Sequence, residues 1–268
     1  MNTQAKAPAE KRDGSVQSVE RALSLLEALG QDEDGLRLTD LAERCQLSAS
    51  TAHRLLTTLQ KRRFVEFDRS DGLWHVGRQA FAVGAAFTRH RNFVAVAIPF
   101  LKTLRDRTRE TANLGIIEEG ELVTLAQVES REIMRATSTV GGRSPIYATG
   151  MGKAILATYP EDAVPPILPK GPWRRLTAHT LPGQAEFMAA LNTVRQSGYA
   201  LDDEEFLTGL RCVAAPVFNA RGEAFCAISI SGLASRVPPD RLPEIGALVI
   251  DTAAAITTAL GGHMPASP

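Results

Sequence analysis

Between Leu38 and Arg63 the chain reads LTDLAERCQLSASTAHRLLTTLQKRR, and its apolar residues fall into two helical phases separated by a short break. Leu41, Ala42 and Cys45 form an apolar face at i, i+1 and i+4, with Thr39 placed as the N-cap. After Gln46-Leu47, Ser48 offers a second cap, and Ala52, Leu55, Leu56 and Leu59 recur at i, i+3, i+4 and i+7. The stretch therefore predicts a helix, a tight turn and a second helix over Ser48 to Gln60. The polar face of that second helix carries Ser50, Thr51, His53, Arg54, Thr57 and Thr58, with no acid between Leu47 and Arg63. Short hydrogen-bonding side chains near a helix start, with an arginine one turn in, suit a helix end inserted into a major groove. An ordinary pair of surface helices has the same periodicity, so the residues that follow carry weight.

Two short β-prone runs, Phe64 to Phe67 and Leu73 to Val76, bracket Asp68-Arg69-Ser70-Asp71-Gly72 and predict a hairpin. Helix, turn, helix and hairpin make a winged helix-turn-helix. The formal net charge is zero, so global charge gives no reason to expect nucleic acid. The local balance does: from Arg44 to Arg69, six basic residues (Arg44, Arg54, Lys61, Arg62, Arg63 and Arg69) stand against two acids, Glu66 and Asp68. The candidate DNA-contacting residues are Ser48, Ser50, Thr51, His53, Arg54, Lys61, Arg62 and Arg69. Ser50, Thr51 and Arg54 are expected on base edges, Lys61 and Arg62 on phosphate.

At 268 residues the chain has room for two domains and a sizeable core in the larger. Cys45, Cys212 and Cys226 are widely spaced without a C-x-x-C pair, which argues against a disulfide framework or zinc site and fits a reducing, cytoplasmic setting. No metal and no cofactor is expected. Residues 1–15 are polar and lack an apolar segment, so they read as a disordered arm and not as a signal peptide. No run of about 18 apolar residues occurs, so no membrane span is expected.

Ser18 to Leu29 is periodic, with Val19, Ala22, Leu23, Leu26 and Leu29 on one face, and supplies a third wall to a first domain spanning 16–76. Residues 77–92 predict a linking helix whose Phe81, Val83 and Phe87 interleave with Arg78, Arg89 and Arg91, a pattern suited to burial against a partner or a second copy. The second domain, 93–262, opens with a helix from Phe93 to Thr108. Strands are expected at Asn113 to Ile117, Glu121 to Val128, Ile133 to Thr139, Tyr199 to Leu201, Cys212 to Phe218 and Ala224 to Ser231. Helices are expected to open at Gly150, to run from Glu186 to Gln196, and to close the chain from Pro238 to Leu260. Hairpins interleaved irregularly with helices predict a mixed α/β chain of α+β type on an antiparallel sheet.

Enzyme motifs fail on spacing. Gly150-Met151-Gly152-Lys153 lacks the earlier glycine and the following Ser or Thr of a phosphate loop, because Tyr147 and Ala154 stand there. No G-x-S-x-G elbow is present, and the histidines (His53, His75, His90, His179 and His263) are scattered.

In this order and spacing, VQSVERALSLLEAL, LTDLAERCQLSASTAHRLLTTL, VGGRSPIYATGMGKAILA, GYALDDEEFLTGLRCVAAPVF and ISISGLASRVPPDRL resemble the IclR family of bacterial transcriptional regulators, from about Val16 almost to the C-terminus. The resemblance implies an N-terminal winged helix-turn-helix, a C-terminal effector domain with a GAF-like fold, and a homo-oligomer (dimer or dimer of dimers) on double-stranded promoter DNA. For members that sense glyoxylate or pyruvate it implies contacts from the backbone N–H groups of Gly150 and Met151 and from Asp203, Cys212, Ser229 and Ser231. Many members carry Ala or Ser at the position of Gly150, so the resemblance implies extra room in this site. Periodicity adds independent support: Cys226, Ile228 and Ile230 alternate with Phe225, Ala227, Ser229 and Ser231, which leaves one apolar face and one ending in two hydroxyls. The expected protein is a ligand-responsive, sequence-specific DNA-binding regulator that senses a small 2-oxo acid such as glyoxylate. An aromatic acid is the alternative effector, and a small-acid-converting enzyme is the competing class.

Overall fold

The computed structural model describes residues 16–32, 34–90, 93–132 and 139–265, with backbone alone at 85–90. The arm at 1–15 and nearly all of the strand expected at Ile133 to Thr139 lie outside the described residues. The chain divides into two compact units, 1–90 and 91–268.

The first unit contains α1 (Gln17–Gly30), α2 (Leu38–Arg44), α3 (Ala49–Lys61), β1 (Val65–Asp68), β2 (Leu73–Val76) and α4 (Arg78–His90). One core closes it: Leu25 and Leu29 of α1, Leu41 and Ala42 of α2, Ala52 and Leu56 of α3, and Val65 and Trp74 of the hairpin. The turn between α2 and α3 is sharp because Gln46 adopts φ 53° and Leu47 N donates to Ala42 O at 2.8 Å. Ser48 caps α3 as expected, its hydroxyl accepting from Thr51 N at 3.3 Å. Thr39 does not cap α2. The helix begins at Leu38 with Arg37 at the N-cap, and the Thr39 hydroxyl donates to its neighbour Asp40. The physical reason is Leu36, buried and bridged in both directions to the Trp74 backbone, which brings the chain into the helix before Thr39.

The second unit contains α5 (Phe93–Thr108), β3 (Thr111–Glu118), β4 (Glu121–Val128), β5 (Arg143–Pro145), α6 (Gly150–Leu156), α7 (Gln184–Ser197), β6 (Ala200–Asp203), β7 (Leu210–Phe218), β8 (Ala224–Leu233) and α8 (Leu242–Ala259). Among the described residues the strands make a six-stranded sheet in the order β5-β4-β3-β8-β7-β6, antiparallel throughout. One face buries Leu114, Val213, Ile228 and Ile230 with Leu101 and Leu104 of α5 and Val249 and Ile256 of α8. The other carries Ala214 and Ala227 beneath Ile155 of α6 and Phe187 and Leu191 of α7. Small residues on that second face let α6 lie close to the strands, which is where the cavity described below forms.

The stretch Pro239–Ala259 departs from the expectation for membrane spans. It is long and apolar enough by length and composition to cross a membrane, with a mean hydropathy of 1.3. Here Ile245, Val249, Ala253 and Ile256 lie in the core beside the sheet while Glu244 and Asp251 are exposed, the pattern of a core helix with one wet face.

Candidate functional site

In the second unit a cavity of about 450 Å³ lies between the sheet, the start of α6 and the 206–210 loop. Its polar wall follows from register. Across the sheet, Thr111 pairs with Ser231, Ser231 with Cys212, and Cys212 with Asp202. One step along, Gln127 pairs with Asn113 and Asn113 with Ser229. Directly opposed residues on antiparallel strands share a face, so Asn113, Ser229, Ser231, Cys212 and Asp202 line one cavity. Gly150 and Met151 bound it from α6; Leu122, Phe206, Leu207, Leu210 and Leu233 add apolar lining, and Thr124, Thr139, Arg143, Ser144, Thr149 and Thr208 add further polar groups.

Five of the six residues expected at this site are thus brought together, and Asp203 is not. Strand side chains alternate between faces, so β6 presents Asp202 to the cavity and Asp203 to the other side. Asp203 there accepts from Arg211 Nε at 2.7 Å, and the same guanidinium donates to Val237 O. Asp202 was legible from its cross-strand partner Cys212 once the register of β6 and β7 is known. Asn113 was passed over; a lone amide amid Ala112, Leu114 and Ile116 in a predicted strand was the available signal.

Gly150 lines the cavity and also permits close packing: a Cβ there would stand 3.3 Å from Ala214 Cβ and 3.6 Å from both Asp202 N and Cys212 O, so α6 lies close to the strands at this point.

Burial pushes the Asp202 carboxyl up to about 7, with Glu205 acting in the same direction, while Lys153 and the amides of Glu205 and Phe206 pull it back. Those two amides donate to Asp202 Oδ1 at 2.8 and 3.3 Å, which also folds the 204–206 turn. Lys153 of α6 and Glu205 form a buried ion pair at 2.5 Å behind this turn. Cys212 lies 3.1 Å from Ser231 Oγ, and burial, followed by the neighbouring Asp202, holds its thiol well above the ordinary value. A thiol so held is a weak hydrogen-bonding neighbour and a poor nucleophile.

In the first unit, Thr51, His53, Arg54 and Lys61 line an open groove with Ser18 and Arg21 of α1, and among the described residues no Asp or Glu lines it. Ser48 and Ser50 are exposed at the start of α3, their hydroxyls 3.1 Å apart, and Ser48 is engaged as the cap. Arg62 is the C-cap of α3, and exposed Arg69 lies in the turn between the hairpin strands. Ser18 and Arg21 are not among the residues expected from the sequence to contact DNA.

Comparison with known proteins places this geometry. The model of the IclR helix-turn-helix domain matches residues 18–69, and that of the bacterial transcriptional regulator IclR C-terminal domain matches 85–258. The transcriptional repressor IclR of Escherichia coli K12 is 40% identical over 260 residues, covering 96% of this chain and 94% of that protein. The HTH-type transcriptional repressor AllR of the same strain is 36% identical over 258 residues, covering 96% and 94%. The crystal structure of Thermotoga maritima IclR superposes with a TM-score of 0.78 at 26% identity, covering 91% of this chain and 99% of that one. With both units matched in order, the chain belongs to the IclR family of bacterial transcriptional regulators, proteins that bind DNA and respond through a C-terminal effector domain, and not to a family of enzymes.

Proposed function

We propose that this regulator represses transcription from the cytoplasm by binding a near-palindromic promoter site as a homodimer or dimer of dimers, and that a small 2-oxo acid, glyoxylate first, controls that binding. Repression is supported by the names of the two Escherichia coli relatives. In this reading 16–76 is the DNA-binding domain, 77–92 the linking helix and 93–262 a GAF-like effector domain. Helix α3 enters the major groove with Ser50, Thr51, His53 and Arg54 towards bases, while Ser48, Lys61, Arg62 and Arg69 meet the backbone.

The observation that carries the effector assignment is the cluster of Ser229, Ser231, Cys212 and Asp202 in one cavity with Gly150 and Met151 at the start of α6. Hydroxyls and backbone N–H groups donate to a carboxylate. Asp202, with its pKa near 7, either donates to a ligand oxygen or accepts from a hydrated aldehyde. A second reading, an aromatic acid, is favoured by Leu122, Phe206, Leu207, Leu210 and Leu233 in the lining and by a volume of about 450 Å³, more than a three-carbon acid fills.

Footprinting on the upstream region of the protein's own gene, with and without each acid, joined to titration calorimetry with glyoxylate, pyruvate and 4-hydroxybenzoate, tests both. A protected palindrome that responds to glyoxylate supports the proposal. Binding without sequence preference overturns the regulator's proposed mode, and heat from the aromatic acid alone transfers the effector assignment to it.

A further inference from the structure

Asn113 contacts both serines of the cavity wall. Asn113 is 1% exposed, and its amide is held from two strands. Gln127 Nε2 of β4 donates to Asn113 Oδ1 at 3.2 Å. With the carbonyl oxygen turned to β4, the Asn113 NH₂ group faces β8 and donates to Ser231 Oγ at 3.0 Å and to Ser229 Oγ at 3.4 Å. The order of strands β4-β3-β8 makes this relay possible, and only the middle strand can carry the amide.

The chemistry follows from the inventory of a hydroxyl, which has one proton to donate and two lone pairs to accept with. Asn113 can only donate through its nitrogen, so each serine spends a lone pair on it and must aim its proton elsewhere. For Ser231 the other neighbour is Cys212 Sγ at 3.1 Å, a weak acceptor. The remaining direction for both protons is the cavity that the two serines line.

We infer that Asn113 is a positioning residue that sets the polarity of the effector site, turning the hydroxyls of Ser229 and Ser231 into a pair of donors and so selecting a ligand with a carboxylate or other acceptor oxygen at that wall. This rests on the proposed acid-sensing role of the cavity and deepens it, since the identity of the acid is left to the rest of the wall. The contrast between two variants separates polarity from packing. Asn113→Asp keeps the shape but, as a carboxylate at a pH above its titration, can only accept, so it draws both serine protons to itself and leaves lone pairs facing the ligand. Asn113→Ala removes the group and leaves the hydroxyls able to rotate.

Titration calorimetry on the full-length protein with glyoxylate, pyruvate and 4-hydroxybenzoate is the first measurement. Whichever acid binds the wild type should lose about 30-fold or more in affinity in Asn113→Asp and less in Asn113→Ala, since a hydrogen bond to a charged group is at stake. If Asn113 is merely packing, the order reverses, because the isosteric Asp is then the milder change; that order, or equal affinities, overturns the inference. A response to 4-hydroxybenzoate alone sinks the 2-oxo acid reading while still testing Asn113, because that acid also presents a carboxylate. The second measurement needs no ligand. In a thermal-melting cycle of Asn113→Ala and Ser231→Ala, the double variant should lose less than the sum of the singles, by a few degrees. Strict additivity overturns the inference whatever the acids show.

Discussion

Asp202 and Asp203 are chemically identical neighbours with opposite fates. Asp203 shares Arg211 with backbone carbonyls, whereas Asp202 is buried beside Lys153 and Glu205 with its carboxyl raised to about 7. Against an ordinary value of 3.8, the folded chain keeps a proton between about pH 4 and pH 7 that the unfolded chain has lost. The contribution of this group to stability is therefore fully present below pH 4 and is lost as pH rises towards 7. Denaturant unfolding across that window should show the decline in the wild type and in Asp203→Asn, and a flatter profile in Asp202→Asn. An unchanged slope in Asp202→Asn would place the buried proton elsewhere.

At the scale of the element, α6 depends on two glycines in different ways. At Gly152 a Cβ would stand 2.3 Å from Ile146 O and 2.7 Å from Thr149 Oγ1, the hydroxyl that caps the helix by accepting from Gly152 N. Neither atom can retreat without moving the 3₁₀ turn Ile146–Ala148. Gly152→Ala is expected to cost about 2–3 kcal/mol by overpacking. Gly150→Ala meets only the Ala214 methyl at 3.3 Å, and should cost less than about 1 kcal/mol. Melting of both variants checks this ordering; equal losses would mean that the strands yield as readily as the turn.

For the molecule as a whole, zero net charge hides a division of labour. The exposed cations of α3 and the wing stand on a neutral protein, so attraction to DNA is local and depends on few phosphate contacts. Lys61→Ala and Arg62→Ala should each weaken binding to specific and unrelated DNA alike, and each should reduce the slope of log affinity against log salt by about 1. Arg54→Ala should instead cost about 1–3 kcal/mol of discrimination at the specific site and leave the slope less altered. Anisotropy titrations over a range of salt distinguish the two classes. A full loss of discrimination in Lys61→Ala would reverse the assigned roles.

Much of this was legible in the residues themselves. The spacing of Ala52, Leu55, Leu56 and Leu59, the cap at Ser48 and the runs on either side of Asp68-Arg69-Ser70-Asp71-Gly72 are local signals, and local signals determine helices, caps and hairpins because the interacting atoms are a few bonds apart. The alternation in β8 likewise placed Ser229 and Ser231 on one face. What the chain read in one dimension could not supply was register between strands distant in sequence. Asp202 meets Cys212, and Asn113 meets Ser229 116 residues away, only because β3, β8, β7 and β6 lie side by side. A shift of one residue in the pairing of β6 with β7 would exchange Asp202 for Asp203, and no local pattern distinguishes two adjacent aspartates. The same holds for Gly150, whose missing side chain gains its meaning from Ala214 on a strand 64 residues further along. Sequence alone determined most of the elements, though not the short strand β5, and the chemistry available to them; the tertiary pairing decided which of those groups share a cavity, because opposed strands, and not sequence neighbours, present side chains to a common face.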